Sequence, residues 1–179
     1  ARPSVRQWEA YVDAIGIGER FPALVGLGFA PSVTAAGLQE LQIRERTAGR
    51  GLFSIHPRGM RPEYGPVLHL EPRTAENVAA VGYDMFSEPV RRKAMEAARD
   101  TGRAQLSGPV RLVQDGATDG PTDSVLMYAP VYRAGDLPRG LAARRMSMQG
   151  WVYTPIRVNR MVQLALEPRR GDLRFSIHD

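Results

Sequence analysis

A single arginine on the inward side of a predicted helix is the residue in this chain best placed for chemistry. The helix follows Ser87 and ends at Gly102, and its inward arc is predicted to contain Val90, Ala94, Ala97, Ala98 and Thr101. Arg91 falls on the edge of that arc, whereas Arg92 and Lys93 point elsewhere. Because an unpaired buried guanidinium is strongly destabilising, Arg91 must have an acidic partner, reach water along its stem, or meet a ligand anion.

The other residue types with chemical potential do not form a catalytic or metal-binding pattern. His56, His69 and His178 are too widely spaced for a metal motif, and the chain has no cysteine. The sequence also lacks a GxxxxGK phosphate loop and a GxSxG nucleophile elbow. Asp84 follows Gly82, where a carboxylate satisfies turn amides or pairs with an arginine. We therefore expect no enzyme activity, no metal and no cofactor.

Bulk composition indicates a folded domain without a nucleic-acid function. The chain has 179 residues, 43% of them hydrophobic, which is enough for one domain or two small ones with a proper core. The net charge of +5 comes almost entirely from arginine, since Lys93 is the only lysine. The arginines are spread from Arg2 to Arg174 among acidic residues, so we expect no nucleic-acid partner. No apolar run approaches the roughly 20 residues of a membrane span.

The first half of the chain is predicted to contain helices followed by short strands. Apolar spacing predicts a first helix over Val5–Ile15 and a second from about Ser32 to Ala48. Between them, Phe21–Phe29 is predicted to be a short buried segment. Residues 51–57 (GLFSIHP) and 67–72 (VLHLEP) are predicted strands, and residues 74–81 a short helix.

The second half is predicted to form a sheet around the helix that carries Arg91. Ser87 is the predicted cap of this helix and Gly102 its left-handed stop. The later predicted elements are a strand Ala104–Gln114, a strand Ser124–Arg133, a loop over residues 134–147, a strand over residues 148–154, a helix Pro155–Leu166 capped by Thr154, and a strand Leu173–His178. Hairpin connections outnumber βαβ units, which predicts an α+β fold with an antiparallel sheet.

Several ordered blocks of this sequence resemble the CHASE domains. The blocks include GYDMFSEPVRRKAMEAARDTGRAQLSGPVRLVQ, LMYAPVYR and QGWVYTPIR, with ERFPALVGLGFAPSV, IRERTAGRGLFSIHP and YGPVLHLEP before them and FSIHD at the end. The resemblance covers almost the whole chain. CHASE domains are extracytoplasmic sensor modules of bacterial histidine kinases and nucleotide cyclases and of plant cytokinin receptors.

The resemblance implies a fold and a division of the chain. The expected fold is α+β, with N-terminal helices, a PAS-like antiparallel sheet with a crossing helix, and the start of a second, membrane-proximal PAS-like unit. The implied parts are residues 1–49 (helical part), 50–154 (membrane-distal ligand-binding domain) and 155–179 (connecting helix and first part of the second unit).

The resemblance also implies a ligand site between the sheet and the crossing helix. The positions that it places around the ligand, together with plausible additions from nearby strands, are Met85, Arg91, Ser107, Tyr128, Trp151 and His69. For each of these except Arg91, packing in the core is at least as good an explanation. Cytokinin receptors carry an aspartate where this chain has Arg91. A guanidinium donates hydrogen bonds and accepts none, so we expect a small anionic ligand such as an organic acid.

The expected function is that of a periplasmic sensory domain in a membrane-bound bacterial histidine kinase or diguanylate cyclase. It would act as a homodimer, anchored through flanking membrane helices that are absent from this chain, and bind a small-molecule ligand. The alternative is a periplasmic protein-interaction module without such a ligand. A cavity of some hundreds of cubic ångströms would favour the sensor, whereas Trp151, Tyr128 and Met127 meeting across the sheet would favour the alternative.

Overall fold

The computed structural model describes residues 4–49, 53–116, 123–133 and 137–166. The helices are α1 (Val5–Ile15), α2 (Ile17–Arg20), α3 (Leu38–Thr47), α4 (Ala75–Ala79), α5 (Pro89–Thr101), α6 (Leu141–Ser147) and α7 (Val158–Leu166). The strands are β1 (Leu27–Pro31), β2 (Val33–Thr34), β3 (Glu63–Tyr64), β4 (His69–Glu71), β5 (Gln105–Leu106), β6 (Ser124–Tyr132) and β7 (Met148–Arg157). Short 3-10 turns lie at Ala35–Gly37, Met85–Ser87 and Val113–Asp115.

The main sheet is antiparallel throughout. Its strand order is β4-β1-β7-β6-β5, and each neighbouring pair has antiparallel register. β2 and β3 form a separate antiparallel pair. α5 packs across the sheet, chiefly against β6. The predicted α+β class with an antiparallel sheet is confirmed.

Alternating side chains give the sheet two apolar faces. On one face, Tyr128 of β6 and Trp151 of β7 belong to the core cluster that includes the buried side of α5. On the other, Val131 and Val152 pack against a second cluster that includes Trp8 of α1. Each face therefore has its own helical cover, because successive residues of a strand point to opposite sides.

The helix that carries Arg91 starts with a different cap from the predicted one. The Glu88 carboxylate accepts hydrogen bonds at 2.9 Å from the first two amides available in α5. The Ser87 hydroxyl instead donates to the Asp84 carbonyl at 2.6 Å. A carboxylate at this position also complements the positive end of the helix dipole. Gly102 ends the helix with φ of 72°, so the predicted stop is confirmed.

The buried side of α5 is rotated relative to the predicted arc. The alanines at positions 94 and 98 are buried as predicted, but Val90 and Thr101 are exposed. Met95 and Arg99 are buried in their place. Arg99 lies outside the predicted arc, and its guanidinium is paired at 2.6 Å with Glu63 of β3. The attraction to Glu63 offsets the cost of removing the Arg99 guanidinium from water.

The strand after α5 is much shorter than predicted. The prediction was a strand over Ala104–Gln114, but β5 covers only Gln105–Leu106. Pro109 has no amide hydrogen with which to continue the ladder. The chain returns to the sheet only as an isolated bridge between Val110 and Ser124.

The last strand of the sheet is longer than predicted. Thr154 was expected to cap a helix that begins at Pro155, but both residues pair with β6. The Pro155 carbonyl accepts a hydrogen bond at 2.9 Å from the amide of Val25. Tertiary pairing therefore overrides the helix-start signal of Thr-Pro, and α7 begins only at Val158.

Two other predicted segments also differ. Residues 141–147 were predicted to lie in a loop, but they form α6. The predicted strand over residues 51–57 is described from residue 53 and contains only a single bridge, between His56 and Tyr83. His56 is followed by a proline, which restricts continued pairing.

The N-terminal part contributes to the sheet as well as to the helices. The segment predicted as short and buried contains β1, which lies between β4 and β7. The second predicted helix begins at Leu38 rather than Ser32, because β2 first pairs with β3. The predicted strand Leu173–His178 lies outside the described residues.

Candidate ligand site

A small cavity lies between the sheet, the start of α5 and the chain that follows β5. Its volume is about 20 Å³, which is room for about one water molecule and far less than an organic ligand needs. Aliphatic side chains form most of its wall, and the polar side chains that line it are Tyr83, Arg91, Gln114 and Tyr153.

Arg91 is buried at this cavity, with only 5% of its surface exposed. Its Nη1 donates to the Tyr83 hydroxyl at 3.1 Å, and its Nη2 donates to the backbone carbonyl of Arg111 at 2.6 Å. The guanidinium carbon also lies 5.2 Å from the centre of the Tyr83 ring. The Glu88 carboxylate approaches Nη1 only to 3.8 Å, and both of its oxygens already accept hydrogen bonds from helix amides.

The surroundings of Arg91 leave its charge only partly compensated. Both of its close hydrogen bonds are to uncharged oxygens, and the carboxylate beside it is partly exposed and shared with the helix start. A planar guanidinium matches the geometry of a carboxylate, and a hydrogen bond between two ions is stronger than one to a neutral oxygen. The site is therefore chemically suited to an anion.

Two tyrosines lie side by side beneath the cavity. The rings of Tyr128 and Tyr153 are 6.1 Å apart, and the Tyr128 hydroxyl lies 3.4 Å from the sulfur of Met85. The Tyr153 hydroxyl is buried and has no hydrogen-bond partner among the described residues. Burial raises the pKa of both phenols above the ordinary value, despite an opposing effect of the nearby Arg91 charge. Both hydroxyls therefore stay protonated at physiological pH.

Of the predicted ligand residues, Met85 and Arg91 line the cavity itself. Tyr128 lies directly behind Met85 and is fully buried. Trp151 lies further along α5, where its indole N–H donates to the Met95 carbonyl at 2.9 Å. The structure therefore brings these predicted residues to one face of the sheet, with Trp151 as a packing anchor for the helix.

Ser107 has a role in strand pairing. Its hydroxyl accepts a hydrogen bond from the Leu126 amide at 2.9 Å and donates to the Gly108 carbonyl at 2.7 Å. It does not line the cavity. Both hydrogen-bonding functions of the hydroxyl are thus used to hold the end of β5 against β6.

His69 lies on the opposite face of the sheet from Arg91. Its neighbour Leu70 lines the cavity, so the side chain of His69 points away and stacks on Trp8, with ring centres 5.9 Å apart. It lines a separate open cleft of about 710 Å³ between α1, α4 and β4. The prediction placed His69 beside Arg91, but the alternation of side chains along β4 separates them.

Asp84 is the centre of a buried hydrogen-bond network that fixes the start of the site. Its carboxylate accepts from Nε of Arg61 at 2.8 Å and from the amides of Gly65 and Phe86 at 2.8 and 3.1 Å. The side chain of Asp84 is fully buried. Both structural roles suggested by the sequence are therefore present, turn capping and pairing with an arginine. The network positions Met85, the next residue along the chain.

Residues 111–115, called the covering segment below, close the cavity on the side away from the sheet. Arg91 holds the first carbonyl of the segment, as described above. Gln114 donates from Nε2 to Oδ1 of the buried Asn77 at 3.2 Å. Asp115 pairs at 2.5 Å with Arg157, at the end of β7. The covering segment is thus attached to α5, to α4 and to the last strand of the sheet.

An ion-pair cluster fixes the far end of α5. Asp100 accepts hydrogen bonds from Arg99 at 2.9 Å and from Arg145 of α6 at 2.6 Å. The hydrogen bonds from Arg145, together with Arg99, lower the pKa of Asp100 to about 2. The cluster, with the pair between Arg99 and Glu63, connects α5 to α6 and β3.

Sequence reasoning missed Tyr83, Gln114, Tyr153 and Arg61. The side chain of Tyr153 could have been found, because it is two residues from Trp151 on one strand and must share its face. The role of Tyr83 depends on how the chain before α5 lies against Arg91, and the role of Gln114 depends on where the covering segment meets α4. No local spacing signal indicates either arrangement.

The described residues show neither a metal site nor a membrane span. Among them, no group of three or more histidine, aspartate and glutamate side chains is arranged to hold a metal ion. No helix within the described ranges is both long and apolar enough to cross a membrane.

Comparison with known families gives a match over nearly the entire chain. A model of the CHASE domain matches residues 2–179. No curated protein matches the sequence. The match spans α1 through α7, and so includes every element that surrounds the cavity.

Proposed function

This chain belongs to the CHASE domain family of extracytoplasmic sensory domains, and we propose that it senses a small carboxylate that binds to Arg91. The domain is a sensor and not a catalyst. The observation that carries the proposal is the burial of Arg91 with close hydrogen bonds only to uncharged oxygens. A ligand carboxylate would supply the full counter-charge that this guanidinium lacks.

Binding requires the covering segment to move. The cavity of about 20 Å³ cannot hold an organic acid as it stands. A carboxylate that binds Nη2 of Arg91 competes directly with the Arg111 carbonyl, which lies 2.6 Å from the same nitrogen. Exchange of a neutral partner for a charged one favours the ligand, so the acid itself helps to release the covering segment. The ligand then shifts the population towards the open arrangement by its differential affinity for the two.

The covering segment offers a route by which this shift reaches the rest of the domain. Its Asp115 pairs with Arg157, which directly precedes α7. Movement of the covering segment therefore disturbs the ion pair that holds Arg157, the last residue of β7. In our proposal the domain is a membrane-distal PAS-like unit, periplasmic and dimeric. It belongs to a bacterial receptor with a histidine kinase or diguanylate cyclase output.

A thermal-shift comparison of two matched variants tests the proposal. Arg91→Met removes the charge in the cavity and keeps most of the side-chain volume, whereas Lys93→Met removes a charge from the exposed side of the same helix. Small carboxylates, with inorganic phosphate as a second anion, are added to the parent and to both variants. At a hundred times its dissociation constant, a ligand adds about 2.7 kcal/mol of stability, or roughly 5–11 °C in Tm for a domain of this size.

The proposal predicts that a carboxylate raises the Tm of the parent and of Lys93→Met but not that of Arg91→Met. Each Tm shift is measured from the variant's own ligand-free value, because Arg91→Met also loses two hydrogen bonds. A response to phosphate alone would assign a different anion to the site. Equal stabilisation of all three proteins would show that Arg91 does not bind the ligand.

The small volume of the cavity also favours a second candidate, a protein-interaction module without a small ligand. Tyr128 and Trp151 fill the space beneath α5, while Met127 lies on the other face of β6 and is 39% exposed. Its partner across the strands, Leu106, is 60% exposed. If no acid stabilises the parent, and Leu106→Ser weakens association with a periplasmic partner, this candidate replaces the sensor of small acids.

A further inference from the structure

The side chain of Tyr153 has a feature that packing does not explain. It is only 2% exposed and lines the same cavity as Arg91, yet its hydroxyl has no hydrogen-bond partner among the described residues. A buried hydroxyl without a partner destabilises a folded protein. Phenylalanine would fill almost the same volume without that penalty. Packing therefore accounts for the ring of Tyr153 but not for its hydroxyl.

The backbone beneath the ring is adapted to this tyrosine. Gly28 lies opposite Tyr153 in the register of β1 and β7. A Cβ added to Gly28 would come within 2.6 Å of the Tyr153 hydroxyl oxygen and closer still to the ring. Glycine weakens the middle of a strand, and here it leaves the space in which the ring lies across β1. The ring is therefore confined to the floor of the cavity.

The ligand site has a second polar contact: we propose that the Tyr153 hydroxyl binds an uncharged oxygen of the ligand, remote from its carboxylate. This inference rests on the proposed function, because it takes Arg91 as the carboxylate-binding group. Aliphatic side chains of Val67, Leu70 and Leu126 line the cavity together with Arg91 and Tyr153. The ligand class is thus a short aliphatic acid with a hydroxyl or carbonyl oxygen away from the carboxylate.

The protonation state of Tyr153 decides what it recognises. Burial holds its pKa well above the ordinary value, so the side chain is a neutral O–H donor at physiological pH. A donor selects a ligand oxygen over a methyl group, because a ligand that ends in a methyl group leaves the hydroxyl unsatisfied. It does not select for a second charge.

The first test needs no ligand. Tyr64 is a buried tyrosine whose hydroxyl is fully used, since it accepts from the Arg61 amide and donates to the Gly59 carbonyl, both at 2.9 Å. Tyr64→Phe should lower the Tm, whereas Tyr153→Phe should leave it unchanged or raise it. If Tyr153→Phe destabilises the protein as much as Tyr64→Phe does, the hydroxyl has a structural partner and the inference fails.

The second test uses matched acids, butyrate with γ-hydroxybutyrate and valerate with levulinate. The parent should bind the oxygenated acid of each pair about 3–10-fold more tightly, as expected for one buried hydrogen bond. Tyr153→Phe should bring this ratio to about one while leaving the affinity for butyrate and valerate unchanged. Both dissociation constants are measured by isothermal titration calorimetry.

The outcomes separate the two proposals. If acids bind the parent and depend on Arg91, but the ratio is the same in Tyr153→Phe, the assignment of Tyr153 is wrong and the carboxylate sensor stands. If none of these acids binds the parent, both proposals fail. If the ratio falls to one only in Tyr153→Phe, and Tyr64→Phe keeps the parent's ratio, Tyr153 is the specificity-determining residue.

Discussion

Replacement of Asp84 by alanine should be among the most destabilising single changes in the domain. The fully buried carboxylate accepts hydrogen bonds from Arg61 and from the amides of Gly65 and Phe86. Asp84→Ala leaves a mostly buried guanidinium and two buried amides without this partner. Breaking a buried ion pair by removing one member costs about 3–5 kcal/mol. For a domain of this size, such a loss lowers Tm by roughly 6–20 °C.

The assay is urea unfolding of the parent, Asp84→Ala, Asp84→Asn, Arg61→Met and the double variant Arg61→Met with Asp84→Asn. The free energy of unfolding should fall less in Asp84→Asn than in Asp84→Ala, because the amide oxygen of asparagine still accepts hydrogen bonds from the amides of Gly65 and Phe86. The double variant should be more stable than the sum of the single losses predicts, since neither partner is then left as an unpaired ion. A loss below about 1 kcal/mol for Asp84→Ala would refute the reasoning, because it would mean that the network contributes little to stability.

The remaining predictions concern the far end of α5. Because the pKa of Asp100 is lowered from 3.8 to about 2, its ion pairs with Arg145 and Arg99 stabilise the fold above the ordinary pKa and are lost as the pH falls through the lowered one. Asp100→Asn should therefore cost about 1 kcal/mol at pH 7, after allowance for solvent screening, and progressively less as the pH falls below the ordinary pKa and through the lowered one. Gly102→Ala should cost about 1–2 kcal/mol in urea unfolding, because φ is 72° there. The nearest obstacle to the new Cβ, the exposed Leu137, can move aside.

The burial of Arg91 could be predicted from the sequence, but its partners could not. Helical spacing is enough to place Arg91 at the core edge of α5. Its hydrogen bonds, however, reach Tyr83, before the helix, and the Arg111 carbonyl, 20 residues along the chain. The position of that carbonyl depends on Pro109, which ends β5 early, and on the tertiary contacts of the covering segment. Such contacts leave no periodic pattern.

Local sequence patterns also fail to predict two features of the strands. The Thr-Pro pair at 154–155 is typical of a helix start, but pairing with β6 keeps it in the sheet. His69 and Leu70 are neighbours in the sequence, and which of them faces α5 is decided by the register of β4 on β1. A one-residue change of register would exchange their faces. The order of the elements is enough to predict the fold class, whereas predicting the site requires this register.

The most direct test of the central claim is an NMR titration of the domain with butyrate that follows the Nε–Hε signal of Arg91 and the backbone amides of the covering segment. The account predicts that these signals shift together with one dissociation constant, because the acid takes the place of the Arg111 carbonyl at Arg91. Arg91→Met should abolish the shifts of the amides as well. Butyrate-induced shifts confined to the open cleft beside His69, with Arg91 and the covering segment unchanged, would contradict the account.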